Sequence, residues 1–96
     1  MNAESAQIEL PKYKCHKEVW GLQIKDITGF PSQDEEDTGR RKLHFFREEY
    51  GPIEIDVKIF DKHRPKEGWY YVIYKGGYIS FSPAKEFEDG YSEIKR

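Results

Sequence analysis

Apolar and polar residues alternate with a period of two in several short stretches, the signature of half-buried strands. Trp20, Leu22 and Ile24 alternate with Gly21, Gln23 and Lys25, which predicts a first strand within Tyr13 to Ile27. Tyr13, Cys15 and Lys17 sit on the opposite parity, so this strand is expected to bend near Glu18–Val19 or to change neighbours there. Leu43 and Phe45 alternate with His44 and Phe46, predicting a second strand over 42–47, and Glu48 to Pro52 reads as a turn. In the next stretch Ile53 and Ile55 keep the strand period, whereas Ile55, Ile59, Phe60 and His63 fall at helical spacing. Asp56 suits a helix N-cap, and Arg64-Pro65 suits a stop, because the residue before proline avoids the helical region. The pattern predicts a brief strand at 53–55 and a helix from Val57 to about His63.

The stretch from Gly68 to Tyr91 is the densest, with eight of the fifteen aromatic residues. Trp69 to Tyr74 is an unbroken run of aromatic and β-branched side chains, and Tyr78 to Phe81 can return beside it. Gly76-Gly77 between them offers positive φ without a Cβ penalty, which predicts a two-residue hairpin turn. That turn pairs Tyr74 with Ile79, Ile73 with Ser80 and Val72 with Phe81. Tyr70, Val72, Tyr74, Ile79 and Phe81 then form the core face. Trp69, Tyr71, Ile73, Tyr78 and Ser80 form a second face whose aromatic area exceeds that of a plain solvated surface. Ser82-Pro83 predicts a helix start, with the Ser hydroxyl as cap and Pro at the first helical position. Phe87 is that helix's buried residue, Gly90 its left-handed stop, and Tyr91 with Ile94 a short final strand.

Composition adjusts this picture in two ways. Apolar content of 36% and a charged fraction of 35% describe a heavily charged skin, while 16% aromatic content supplies core area that aliphatic residues do not. Ninety-six residues allow one domain, expected over 13–96, behind a polar N-terminal arm at 1–12. Formal net charge of −2 gives no global field to attract nucleic acid or an anionic membrane. One cysteine and a start without a basic, apolar leader predict a reducing, cytoplasmic setting. The run Asp34-Glu35-Glu36-Asp37, followed by Arg40-Arg41-Lys42, reads first as a solvated loop and second as a contact loop. No internal repeat is present.

Candidate chemistry is sparse. Cys15 and His16 are adjacent in a strand, so they point to opposite faces and cannot act together as nucleophile and base. Cys15, His16, His44 and His63 lack metal-ligand spacing. The carboxylates Glu54, Asp56, Glu86, Glu88 and Asp89 suit caps and a helix surface better than an acid–base pair across a cleft. No enzyme, metal or cofactor is therefore expected. The candidate site is the second hairpin face, Trp69, Tyr71, Tyr78 and Ser80, with Lys75 beside it. Those rings could receive a protein partner or a second copy as a homodimer, a small nucleotide, or the bases of a single-stranded nucleic acid. Few cations frame them, so protein contact ranks first and nucleic acid last.

Several motifs resemble a family of small phage and prophage proteins without assigned function, called PGDYG-like. They are Lys14-Cys15-His16-Lys17-x-Val19-Trp20, Gly68-x-Tyr70-x-Val72-x-Tyr74, Gly77-Tyr78-x-Ser80-Phe81-Ser82-Pro83-Ala84 and Phe87-Glu88-x-Gly90-Tyr91. They cover somewhat under half the chain. Gly76 stands where the family has Asp, and Lys66-Glu67-Gly68-Trp69 departs from Pro-Gly-Asp-Tyr. The resemblance implies a phage-type accessory protein and supplies no activity. The tail also resembles those of phage proteins that sequester cyclic nucleotide immune signals, which implies a counter-defence role as the alternative. The expected fold is α+β, a small antiparallel, curled sheet of about four or five strands with two short helices.

Overall fold

One long strand serves two hairpins. In the computed structural model, which describes residues 10–11 and 17–94, β1 (Val19–Thr28) pairs with β4 (Tyr70–Tyr74) through its first half and with β2 (Arg40–Phe45) through its second. β3 (Ile53–Asp56) flanks β2, and β5 (Ile79–Ser82) flanks β4. The result is an antiparallel sheet of order β3-β2-β1-β4-β5. Helix α1 (Val57–His63) links β3 to β4, α2 (Ala84–Gly90) follows β5, and a 3-10 turn occupies Glu48–Tyr50. A five-stranded curled sheet whose first strand is shared by both halves, with a helix between the third and fourth strands, has the connectivity of the OB-fold. Here it is left open between β3 and β5.

The predicted change of neighbours in β1 is real, but it falls at Gln23–Ile24 rather than Glu18–Val19. Tyr13 to His16, the expected strand start, lie outside the described residues. A bulge at Lys25 accompanies the change. Ile24 faces Phe45 and Ile27 faces Leu43, although two residues separate the isoleucines in β1 and only one separates their partners in β2. The extra residue keeps both isoleucines on the core side while the strand bends from one partner to the other.

Ile24, Leu43, Phe45, Ile55, Tyr71 and Phe81 are the buried core, with Leu22, Ile53, Ile59, Phe60, Trp69 and Ile73 packed around them. Each fully buried aliphatic side chain here contributes about 1.5–3 kcal/mol. The reading of 53–63 holds closely: β3 gives way to α1 at Asp56, whose carboxylate accepts from Lys58 N–H at 2.7 Å. Helix α1 closes the core side, bringing the His63 ring to 5.3 Å from Phe81 on the far hairpin. Its stop is Arg64, in the left-handed region at φ 49, with buried Pro65 following.

Arg41 fastens the base of the β1–β2 loop. Arg41 is buried, and its guanidinium donates to both carboxylate oxygens of Asp37 at 2.9 and 2.8 Å and to the Gly29 carbonyl. It lies over the rings of Phe30 and Phe60, which pack edge to face at 5.4 Å. The Arg41 guanidinium holds the Asp37 carboxyl well below the usual carboxylate range. Asp34, Glu35 and Glu36 remain exposed at the tip.

The predicted pairing of the last hairpin is corrected by one residue. Tyr71 faces Phe81, Val72 faces Ser80 and Ile73 faces Ile79. The loop has three residues, Lys75-Gly76-Gly77, not two. Gly77 N–H donates to the Tyr74 carbonyl at 2.8 Å, and Gly77 itself takes positive φ (91). The turn ends in a positive-φ glycine, as three-residue hairpin loops commonly do, with one residue more than the tight turn. Because side chains alternate strictly, the slip exchanges the two faces of β4. Tyr71 and Ile73 point to the core, and Tyr70, Val72 and Tyr74 to the other side.

Three further expectations fail nearby. Pro83, not Ser82, occupies the N-cap of α2, and the Ser82 hydroxyl is turned to the Pro83 carbonyl instead. Gly90 belongs to α2 without positive φ, and Tyr91 caps the helix in an extended conformation. Residues 91–94 form no strand.

Candidate functional site

The far side of β4 is covered in part by α2. Phe87 reaches down onto Gly21, where a Cβ would lie 2.9 Å from the tip of the ring. On either side of Phe87, Tyr70 and Tyr91 stack almost parallel, with centroids 4.2 and 4.8 Å away. Tyr70 donates its hydroxyl to Glu88 at 2.8 Å, and partial burial pushes its pKa up. Val72, opposite Gly21 in register, is buried on this side although it stands outside the main core. A glycine in β1 therefore makes the seat for a second, aromatic layer.

Beyond that layer the apolar surface is open. β2 ends at Phe45, and the last bond toward β1 runs from Phe46 N–H to the Gln23 carbonyl. Among the described residues, Val19 to Leu22 thus have a strand on the β4 side only. A broad groove follows this bare edge, bounded by Phe46 and Tyr50 on one side and by the end of α2 and the tail to Ile94 on the other. Arg47 joins the two sides through Glu93. Trp20 is 62% exposed and Tyr78 76% exposed at its rim, and Phe46, Tyr50 and Ile94 are also exposed. These five large apolar side chains all line the one groove.

The five sequence-predicted site residues are divided by the hairpin register. Tyr71 is 6% exposed in the core, where burial raises its pKa, and Trp69 packs against the same core. Their expected place on an open second face is corrected. Tyr78 and Lys75 line the groove, and Ser80 shares the α2 side with Val72. The residues that sequence reasoning missed are Phe46, Tyr50 and Ile94, together with an exposed Trp20. Phe46 had a signal, being apolar on the parity opposite Leu43 and Phe45. Tyr50 had none, lying in a turn, and Ile94 was expected in a final strand that does not form.

The groove presents apolar rings together with charged side chains, among them Lys17, Glu18, Lys75 and Glu88. His44 meets the Thr28 hydroxyl at 2.8 Å on the outer surface, whereas His63 packs on Phe81 inside, so the sheet separates them. Cys15 and His16 lie outside the described residues, among which no group of three metal-ligating side chains occurs. The face of β2–β3, where OB-folds commonly bind oligonucleotides, carries Arg40 opposite Asp56, Lys42 opposite Glu54 and His44 opposite Asp26. It bears no aromatic platform, each cationic position faces a carboxylate, and the adjoining β1–β2 loop is acidic, all unfavourable to a phosphate backbone. Among the described residues no helix is long and apolar enough to cross a membrane.

No protein-family model matches the chain, and neither does any curated protein. The PGDYG-like resemblance therefore rests on its quoted residues alone. Among solved structures, the chain is similar to the solution structure of the monomeric form of the phage L decoration protein, with TM-score 0.59 and 21% identity. The likeness covers 79% of this chain and 52% of that one, so this chain spans about half that protein's length. At that identity the likeness is one of fold.

Proposed function

We propose that this protein is a non-catalytic phage accessory protein of the decoration type, which works by docking on a protein surface through the aromatic groove. The observation that carries the reading is the groove itself: exposed rings of Trp20, Phe46, Tyr50 and Tyr78 beside a strand edge that no described strand covers. Exposed aromatic area of this kind is the usual composition of an interface core, and a bare edge adds backbone hydrogen bonds. The fold likeness to a phage decoration protein supports the class of role, as does the motif resemblance to phage proteins. Capture of a cyclic nucleotide by the same rings draws less support, because Arg47, the one guanidinium lining the groove among the described residues, is paired with Glu93.

The test is co-sedimentation of the purified chain with phage heads before and after expansion. Saturable binding is expected, and Tyr78→Ala combined with Phe46→Ala should weaken it at least about tenfold, the effect of losing one good anchor. Binding unaffected by the double variant would remove the groove from the interface. No binding to heads in any state would count against the decoration role.

A further inference from the structure

We propose that the β1–β2 loop and helix α1 together form a self-complementary face, which pairs with the same face of a second copy of this chain about a two-fold axis. The proposal goes beyond the groove, since none of the residues it uses lines that groove. Its centre is Phe30, which is 53% exposed although its ring packs edge to face on Phe60 and beneath the Arg41 guanidinium. That packing occupies one side of the ring and holds the other at the surface. Phe30 sits where two oppositely charged elements meet. The loop tip exposes Asp34, Glu35 and Glu36. Helix α1 and its stop expose Lys58, Lys62, Arg64 and Lys66, with Asp61 the one acid of that helix. Lys58 and Lys62 are four apart and so share one side of α1. Loop and helix are joined directly, because Val57 N–H at the start of α1 donates to the Gly39 carbonyl at 2.9 Å.

Neither charge set is used up within its own copy. Among the described residues, the side chains of Asp34, Glu36, Lys58, Lys62, Arg64 and Lys66 make no ion pair and no hydrogen bond. Asp37, the last acid of the run, is instead taken by Arg41, which fixes the base of the loop and leaves the tip outside. A face with an acidic part beside a basic part complements itself when turned through 180°. The loop tip of each copy then meets the helix of the other, and the Phe30 rings meet near the axis. A partner of one charge satisfies only one part and sets its own charge against the other, so a second copy is the occupant that fits. A phosphate backbone along α1 meets the same objection from the acidic loop. Exposed ion pairs each contribute little, so the pairing is weak and salt-sensitive, with a dissociation constant on the order of 0.1 mM at low salt.

Sedimentation equilibrium of the full chain should show a monomer–dimer equilibrium at about 20 mM salt that shifts to monomer at about 500 mM. Asp34→Lys with Glu36→Lys turns the loop tip positive, and Lys58→Glu with Lys62→Glu turns the helix negative. Glu35 is left in place because it accepts from Ser32 N–H at 3.0 Å. Each variant alone should self-associate at least about tenfold more weakly, whereas an equal mixture of the two should pair within about threefold of the parent. Adding Phe30→Ser to both should weaken the mixed pair by about tenfold. On mixing, backbone amide shifts should change over 30–40 and 57–66 and stay constant at Trp20 and Phe46. A parent that stays monomeric at about 1 mM in low salt, a dimer that salt leaves unchanged, a charge variant that self-associates as the parent does, or a mixture that fails to pair would each overturn the two-fold face. Shift changes centred on the groove would do the same. Co-sedimentation with heads reads the groove residues and this experiment reads the loop and helix, so either proposal can fail alone.

Discussion

The two halves of the sheet solve the same folding problem differently. The half made of β2, β3 and the end of β1 buries aliphatic side chains and Phe45 inward and turns charge outward: Leu43 and Ile55 beneath, Lys42 and Glu54 above. The half made of β4, β5 and the start of β1 is apolar on both sides, with Tyr71 and Phe81 in the core and Tyr70 and Val72 under α2. In the first half a one-residue slip would bury a lysine or a glutamate, so register is enforced. In the second, a slip exchanges one aromatic set for another, and burial alone does not decide between them. What decides is the three-residue turn and the glycine seat at position 21. The second half also has more apolar surface than one helix covers, and the groove is the remainder.

Deleting core volume should separate the halves most clearly. Leu43→Ala removes a fully buried side chain from the one-faced half and should cost about 3 kcal/mol, whereas Phe87→Ala removes a half-exposed ring and should cost about 2 kcal/mol. Urea unfolding measures both, and an equal or larger loss at Phe87 would mean that the α2 layer is as much core as the inner face. Filling the seat is the next test. In Gly21→Ala the added methyl meets a ring already stacked between Tyr70 and Tyr91, so Phe87 has no free direction to retreat. A loss of about 1–2 kcal/mol is expected, with shifted ring-current signals from Tyr70 and Tyr91.

The turn can be probed at Gly77, whose φ of 91 is unfavourable for a side chain. Gly77→Ala should cost about 1 kcal/mol and lower the melting temperature without altering the groove rings' spectra. If those spectra change as well, the turn sets the register more strongly than the α2 layer does. The smallest effect concerns the one-faced half's loop. The Asp37 carboxyl titrates below its ordinary range in the fold, so as pH falls the unfolded chain takes up the proton first. The stabilisation from the Arg41 pair is complete above the ordinary carboxylate pKa of about 3.9 and is lost progressively below it. Asp37→Asn should melt lower than the parent at neutral pH, with the gap narrowing as pH drops below about 4 in thermal melts at low salt. A gap that stays constant across that range would show that the carboxylate charge is not what holds the loop.

Legibility followed the same division. A strand around Leu43 and Phe45, expected over 42–47 and found at Arg40–Phe45, and the brief strand and helix over 53–63 were legible, because Leu43 and Phe45 share one parity there and Asp56 and Arg64-Pro65 bound the helix. The hairpin's existence was readable from Gly76-Gly77, but not its register, since two glycines permit either loop length. Trp69 and Tyr71 were assigned to a surface on that register, and the slip moved them to the core. The acidic loop read as solvated, and its tip is, but its base is fastened by Arg41. A buried guanidinium between two phenylalanines leaves no periodic trace in the sequence.

The sequence by itself determined that this is a small, curled antiparallel sheet with two short helices, and that it carries more aromatic area than one core face needs. Local patterning suffices for this, since period, caps and turn residues act over a few positions. Only the tertiary structure decided which aromatics are outside. Tyr71 is buried and Tyr78 exposed because of how β4 aligns with β1 and β5. Phe46, Tyr50, Ile94 and Trp20 line one groove because β2 ends short of the first half of β1. Register and strand ends depend on contacts between segments far apart in the chain, and no local pattern contains them.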